Sequence, residues 1–432
     1  MNQTLIKEFC RRRLSAFVWV LMFCGAEAFA AERLSLEMAE RIALKAEPGI
    51  LGLDARTQSL LEQSVAEGEL KDPKLQIGLL NLPTDTFDFD QENMTQFKVS
   101  YIQQFPSGDS RDIKRDKAVS QSRRFQYQIE DRKRQVLTQV RLAYLETLYW
   151  ERARETVVQN KQLIGQLSEF VQSQFSVGRT NQFDFITVQQ RLSKLDDRLT
   201  QIAQNISGER YRLSEWVGEE YSQRQLLGDE LLLEPGWSGP LDSDRIDQTI
   251  VQHPRVQEIN IQIDVDRKNL ELTRESEKPG WALNVSYAYR DDAPDGSDRP
   301  DFFSAMVTLD LPLFAENRQH QYQKAQQYDI KSSQLQRDAL LRKMRSDVMR
   351  INTNLDLLGQ RSRLFDQTLI PQAEQRSQAA LQTYQSGGGS FADVMQAYLE
   401  ALNIQLEQKR IQIDNLKTRA RLLYYLQPAS DT

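Results

Sequence analysis

Three prolines in the first half of the chain have counterparts at one constant offset in the second. Pro48 and Pro254 lie 206 residues apart (254 − 48), as do Pro73 and Pro279, and Pro106 and Pro312. Further on the offset becomes 209, between Phe175 and Tyr384, Gly178 and Gly387, and Asp184 and Asp393. A period this long marks a duplicated unit of domain size, not a solenoid repeat. Each copy must therefore fold by the same plan, and the prolines divide that plan into the same segments.

The first copy, 31–219, opens on a helical pattern over 34–72, with Leu36, Ala39, Ile42 and Ala43 at three- and four-residue spacing, stopped by Pro73. Leu75, Ile77 and Leu79 then alternate with other residues, which predicts a strand over about 74–82. An acidic loop with Asp85, Asp88 and Asp90 follows, then a second strand over about 96–105 with Phe97, Val99 and Tyr101 on one face. The second copy, 244–427, repeats this after a Gly- and Pro-punctuated linker, 220–243. Trp281, Leu283, Val285, Tyr287 and Tyr289 alternate over about 281–290, and Phe303, Ala305, Val307, Leu309 and Leu311 over about 302–311. The acidic loop between them, 291–301, superficially resembles a calcium loop, but Ala293 stands where a ligand is required, so it reads as solvated.

Each copy continues into two long helical runs, about 107–174 with 182–217 and about 313–383 with 391–426. Leu137, Val140, Tyr144 and Leu148 fall at 3, 4, 4; Leu341, Met344, Val348, Ile351, Leu355 and Leu358 fall at 3, 4, 3, 4, 3. That is a coiled-coil seam. Sixty-five to seventy residues at about 1.5 Å each span roughly 100 Å. Pro371 should kink the second run. Glycine turns close both: Val177-Gly178-Arg179-Thr180 and Gly387-Gly388-Gly389-Ser390. Helices commonly end this way because glycine tolerates positive φ.

Residues 1–30 read as a secretory signal peptide. Lys7, Arg11, Arg12 and Arg13 precede a short apolar run from Leu14 to Cys24, and Ala28-Phe29-Ala30 is a cleavage site. Acylation of Cys24 is the competing reading, opposed by the bulky Met22 and Phe23 before it. Both cysteines, Cys10 and Cys24, fall in this segment, so the mature chain holds no disulfide. His253 and His320 alone supply imidazole, which excludes a Cys/His metal centre, and no cofactor is expected. A net charge of −6 argues against nucleic acid. No nucleophile elbow or phosphate loop is present, so an enzyme is disfavoured. No run after residue 30 is long enough for a membrane helix, so any membrane contact must come through strands.

The strands, about ten residues each with aromatics near their ends, have the length of tilted transmembrane strands. Four cannot close a barrel, and open edges in lipid leave backbone groups unsatisfied at several kcal/mol each. Several chains must therefore share one barrel; two, three or four are allowed by this argument.

At this point the chain resembles the TolC-like outer membrane factor family over essentially all of 32–427. The duplicated order of elements carries the resemblance, with the tip pattern Phe175/Gly178/Asp184 and Tyr384/Gly387/Asp393. The resemblance implies a mainly α fold with a membrane β-barrel: a homotrimer whose twelve-stranded barrel in the Gram-negative outer membrane continues into an α-helical periplasmic tunnel. It further implies a periplasmic adaptor and an inner-membrane RND-type pump as partners, and passive conduction of what the pump delivers. Asp72-Pro73-Lys74-Leu75, Asn81 to Phe87, Leu311-Pro312-Leu313-Phe314 and Asn317-Arg318-Gln319 resemble the heavy-metal efflux branch, with drug or type I protein export as the alternative. A secreted coiled-coil structural protein would explain the heptads but not the four matched strands.

The resemblance assigns adaptor contact to Val177, Gly178, Arg179, Thr180, Gly387, Gly388, Gly389 and Ser390. It assigns the pore constriction to Asp393, with Asp184, Tyr384 and Gln396 as further candidates. The family's second acidic position is Gln396 here, so a doubled acidic ring is not expected. Asp393 has an equally simple structural role: Ser390-Phe391-Ala392-Asp393 has the spacing of a capping box.

Overall fold

A computed structural model describes residues 33–45, 47–178, 182–228 and 243–426. The expected signal peptide, Arg179, Thr180, most of the linker and the C-terminal tail lie outside these residues. In chain order the elements are α1 (Leu36–Lys45), α2 (Pro48–Gly68), β1 (Lys74–Leu80), β2 (Gln96–Phe105), α3 (Ser110–Ser176), α4 (Gln182–Val217), α5 (Glu219–Ser222), α6 (Ser243–Val251), α7 (Pro254–Glu275), β3 (Gly280–Tyr289), β4 (Phe302–Asp310), α8 (Gln319–Leu364), α9 (Ile370–Gln385) and α10 (Phe391–Leu426). The protein is mostly helical with one small antiparallel sheet.

That sheet runs β1-β2-β3-β4, every pair antiparallel. Its register sorts the side chains into rows. Ile77, Val99, Tyr287 and Phe303 stand in line, and next to them Leu75, Tyr101, Val285 and Ala305. The opposite face carries the row Gln76, Ser100, Ser286 and Ser304. One face is thus mainly apolar and the other mainly polar, because strand side chains alternate and all four strands are paired in phase; exceptions include Gln103 on the first and Ile102, Met306 and Phe302 on the second. On the apolar face aromatics gather at the two ends. Phe105 and Trp281 stack at one, 4.0 Å between centroids, and Phe97, Tyr289 and Phe303 lie toward the other. The rows between hold Leu75, Val285, Ala305, Leu283 and Val307 with Tyr101 and Gln103 among them. Every residue of the edge strands β1 and β4 is exposed, and neither edge has a further strand beside it among the described residues. No described helix is long and apolar enough to cross a membrane.

The long helices form the rest. α3 is the spine: α2 and α7 pack along it toward the sheet, and α4 and α10 along it toward the far end. Val140, Tyr144 and Leu148 of the first expected seam are buried, as are Met344, Val348, Ile351 and Leu358 of the second. One apolar cluster joins α1, α3, α4 and Leu226; another joins α3, α4 and α10; a third joins α6, α7, α8 and α10.

Four local readings needed correction. The single helix expected over 34–72 is broken between α1 and α2, because Pro48 takes the first helical position of α2 and Glu47 caps it. The helix expected from 313 begins at Gln319, after a 3-10 turn at Ala315–Asn317. The expected irregularity at Pro371 takes the form of a π-helical turn, Phe365–Leu369, immediately before it. Proline lacks an N–H and crowds the carbonyl four residues back, and the wider turn accommodates both. The segment read as linker from 220 begins in α5, and its Leu226 forms a parallel bridge with Leu34 inside the first cluster.

The paired prolines begin α2 and α7, and in both copies the preceding side chain caps the helix. Glu47 accepts from Ile50 N–H at 2.6 Å, and His253 Nδ1 accepts from Arg255 N–H at 3.2 Å. The Nε2 atom of His253 lies 3.1 Å from the Tyr424 carbonyl oxygen, so α7 begins where α10 ends, in the gap between α3 and α8. These partners require the neutral imidazole with its proton on Nε2. Burial, reinforced by Arg134 and Arg255, holds its pKa down from 6.5 to about 4. The unfolded chain then binds the proton first as pH falls. Stability is unaffected above pH 6.5, declines between 6.5 and 4, and is not lowered further by this group below that. At about 1.4 kcal/mol per unit the loss reaches ~3 kcal/mol. Burial pushes the nearby Asp131 carboxyl up, which works in the opposite sense. The contrast to measure is therefore wild type against His253→Gln, by urea unfolding at pH 7, 5.5 and 4. The wild-type decline should be flattened in the variant; equal slopes would remove His253 from the account.

Candidate functional site

The two helical hairpins end side by side, opposite the sheet. At the first tip, Gly178 has φ +75° and its N–H donates to Phe175 O at 3.0 Å. At the second, Gly387 has φ +81° and donates to Tyr384 O at 3.0 Å, while Gly388 donates to Thr383 O at 3.0 Å. A side chain would be strained at either positive φ, which is why glycine stands at both repeat-related positions. Phe170 of α3 packs edge-on to Tyr384, and Tyr384 edge-on to Phe391, with centroids 6.5 and 5.4 Å apart. Phe391 is 1% exposed and shares a cluster with Val171 and Val188, so it ties the second tip to the first.

The structure separates the residues singled out from sequence into two groups. Val177, Gly178, Gly387, Gly388, Gly389 and Ser390 are exposed on the turns. Asp393 and Gln396 are exposed on one face of α10, and Asp184 is half-buried in the first turn of α4. Tyr384 is half-buried in aromatic packing rather than standing free on a surface.

The cap at α10 differs from a full capping box. Ser390 Oγ accepts from Asp393 N–H at 3.2 Å, and the Ser390 hydroxyl donates to Asp393 Oδ2 at 2.7 Å. The serine therefore satisfies the helix N–H. The carboxylate braces the serine and still faces solvent.

Sequence reasoning missed two features here. Phe183 and Ile186, 69% and 55% exposed, add to Val177 as exposed apolar side chains of the first hairpin end, whereas the second turn is polar. Their spacing of three at a helix start was the available signal. The second feature lies above Asp393 along α10, where Glu400 pairs with Arg376, Glu407 with Arg361 at 2.7 Å, and Asn403 accepts from Arg198 at 3.0 Å. These partners come from α9, α8 and α4, and no local pattern links them. They neutralise the acidic side chains of this face beyond Asp393. Among the described residues no group of three or more His, Cys, Asp and Glu side chains could hold a metal ion.

Compared by sequence, the chain matches no protein-family model and no curated protein. Compared by structure, it is similar to solved proteins at low identity. CusC aligns over 90% of this chain and 91% of its own, with TM-score 0.76 and 13% identity. The outer membrane protein VceC of Vibrio cholerae aligns over 90% and 95%, with TM-score 0.72 and 15% identity. The CmeC outer membrane channel of Campylobacter jejuni aligns over 90% and 85%, with TM-score 0.74 and 11% identity. Coverage is near complete on both sides, so the chain shares their whole fold and not one motif of it.

Proposed function

We propose that a chain with the fold of these outer-membrane channels is itself a TolC-like outer membrane factor, the exit duct of a tripartite efflux system in a Gram-negative cell. The observation that carries this reading is the sheet: one face apolar except for Gln103, with aromatics toward its ends, the other mainly polar, and two open edges. Such a sheet suits lipid outside and water inside, once its edges are closed. Three chains supply twelve strands, and the long hairpins then surround a shared axis below the barrel. The polar face continues into the bore, and the hairpin tips meet a periplasmic adaptor and, through it, an RND-type pump. The exposed Val177, Phe183 and Ile186 provide apolar contact for that adaptor, beside the Gly387–Ser390 turn.

Of the acidic side chains on the α10 stripe, Asp393 is the one without a basic partner among the described residues. Three copies about an axis would focus a negative potential and favour cations. In planar bilayers Asp393→Asn should lower cation-over-anion selectivity, with Ser390 retained as the cap. Unchanged selectivity with lowered melting temperature would leave Asp393 a brace only.

For cargo, we infer heavy-metal cations, on the sequence stretches at 72–87 and 311–319; the low-identity structural likenesses do not separate this from drug or protein export. A deletion strain and its complemented parent, tested against cobalt, zinc, cadmium, nickel, copper and silver beside dyes, bile salts and antibiotics, decides. Sensitivity to metals alone supports the metal reading, and sensitivity to dyes and antibiotics replaces it with multidrug efflux.

A further inference from the structure

A recess of about 560 Å³ opens between α3, α8 and α10, where α10 gives way to α7. Its volume is within the range of small-molecule sites. Its lining is more polar than apolar, with two tyrosine rings and a basic rim. Leu142 and Ile351 line it from α3 and α8, and Tyr424 and Tyr425 present their rings from α10. Those rings are held in place, because the Tyr424 hydroxyl donates to Asp131 at 2.7 Å and the Tyr425 hydroxyl to Asp347 at 3.3 Å.

The charges at the rim do not cancel. Arg132 is paired with Glu47 at 2.6 Å, and Arg350 with Asp347 at 3.1 Å. Arg421 is exposed and has no ion pair or hydrogen bond among the described residues. Among the residues that line the recess one positive charge is therefore in excess, surrounded by the amides and hydroxyls of Gln135, Gln139, Asn354 and Thr418, with the Asp131 carboxyl behind Tyr424 and Gln135.

Position restricts what could fill the recess. α1 packs on α3 through Val136, Val140 and Ala143, and α6 packs on α8 and α10 through Met344, Val348 and Leu422. Ile351 and Tyr425 stand at the edge of the α6 cluster, while Gln135, Gln139, Asn354, Thr418 and Arg421 belong to neither cluster. α3, α8 and α10 of one chain wall it on three sides. It also lies far from the sheet. Gln135 is 25 residues along α3 from Ser110 (135 − 110), or about 37 Å at ~1.5 Å per residue, which puts the recess beyond the reach of a bilayer surrounding the strands.

We propose that this recess binds a soluble, monovalent organic anion with a flat apolar body, the body lying on Tyr424, Tyr425 and Ile351 and the anionic group meeting Arg421. Guanidinium hydrogen-bonds an oxyanion with charge assistance, and the aromatic floor takes the apolar surface. The site rests on the conduit reading only for the statement that solutes in the bore reach it. Binding to the purified chain is measured without export, so failure of one leaves the other standing.

The test uses the full-length mature protein in nanodiscs of zwitterionic lipid, with naphthalene-1-sulfonate as probe, followed by equilibrium dialysis and saturation-transfer NMR. Saturable binding of one probe per chain is expected, weakening as salt screens the charge. Arg421→Ala should weaken it by about tenfold or more, and Asn354→Trp, which fills the recess while keeping every charge, should abolish it. A naphthylmethylammonium cation of the same shape should not displace the probe. Both substituted positions are exposed, so circular dichroism melts should match wild type. Non-saturable uptake, equal affinity in wild type and Arg421→Ala, or equal competition by the cation would each overturn the proposal.

Discussion

Val307→Arg is expected to abolish assembly of this protein in the membrane, while Thr308→Arg, one residue away, is expected to leave assembly largely intact. Val307 is 58% exposed on the apolar face of β4, opposite Leu283 in the middle of the sheet. Thr308 is opposite Ala282 on the polar face. On the proposed reading the first side chain meets hydrocarbon and the second the bore. An arginine on the lipid face near the midplane costs roughly 2–4 kcal/mol, and a barrel shared by three chains incurs that cost three times. Heat-modifiable mobility on gels and outer-membrane fractionation read the result directly. Equal behaviour of the two variants would mean that the two faces of the sheet do not see different solvents, and the barrel reading would fall.

The second large effect is expected at Tyr144, where the fold is stapled to itself. The side chain is 0% exposed, and its hydroxyl lies 2.8 Å from the carbonyl oxygens of both Leu34 and Leu227 while accepting from Leu227 N–H at 3.1 Å. It therefore holds the Leu34–Leu226 bridge against α3. Tyr144→Ala should destabilise by about 3–5 kcal/mol through the cavity and the lost contacts. Tyr144→Phe should cost about 1–3 kcal/mol, because it strands buried backbone groups. Urea unfolding gives both magnitudes, and limited proteolysis should cut first near residues 226–228. A Phe variant as stable as wild type would show that the ring alone closes the cluster.

How much could be read beforehand varied with the range of the interaction. The strands follow from strict alternation, and the structure ends three of them slightly earlier than expected, β1 at Leu80, β3 at Tyr289 and β4 at Asp310. The turn glycines follow from a backbone requirement, and Gly178 and Gly387 do take positive φ. The heptads of α3 and α8 follow from burial along one face. Pro371 announced an irregularity but not its form, since a π turn depends on the helix being held in register on both sides by α10. At the tips, Ser390 and Asp393 announced a cap, but which atom satisfied the N–H required coordinates. The charge state of the α10 stripe was out of reach, because Arg376, Arg361 and Arg198 meet it from three different helices.

What the sequence determined by itself is everything set by local period and by repetition: two copies of one unit, four alternating strands, long amphipathic helices, and glycine at each hairpin turn. Those features depend on residues within a few positions of one another, or on one copy resembling the other. What only the tertiary structure decided is which elements meet. It set four strands in phase so that their apolar residues share a face. It joined the end of α10 to the start of α7 through His253 and Tyr424, paired Glu400 and Glu407 of α10, and left Arg421 beside two tyrosine rings without a partner among the described residues. Contacts of that kind are chosen by packing between distant segments, where many pairings satisfy the same local pattern and only the folded arrangement selects among them.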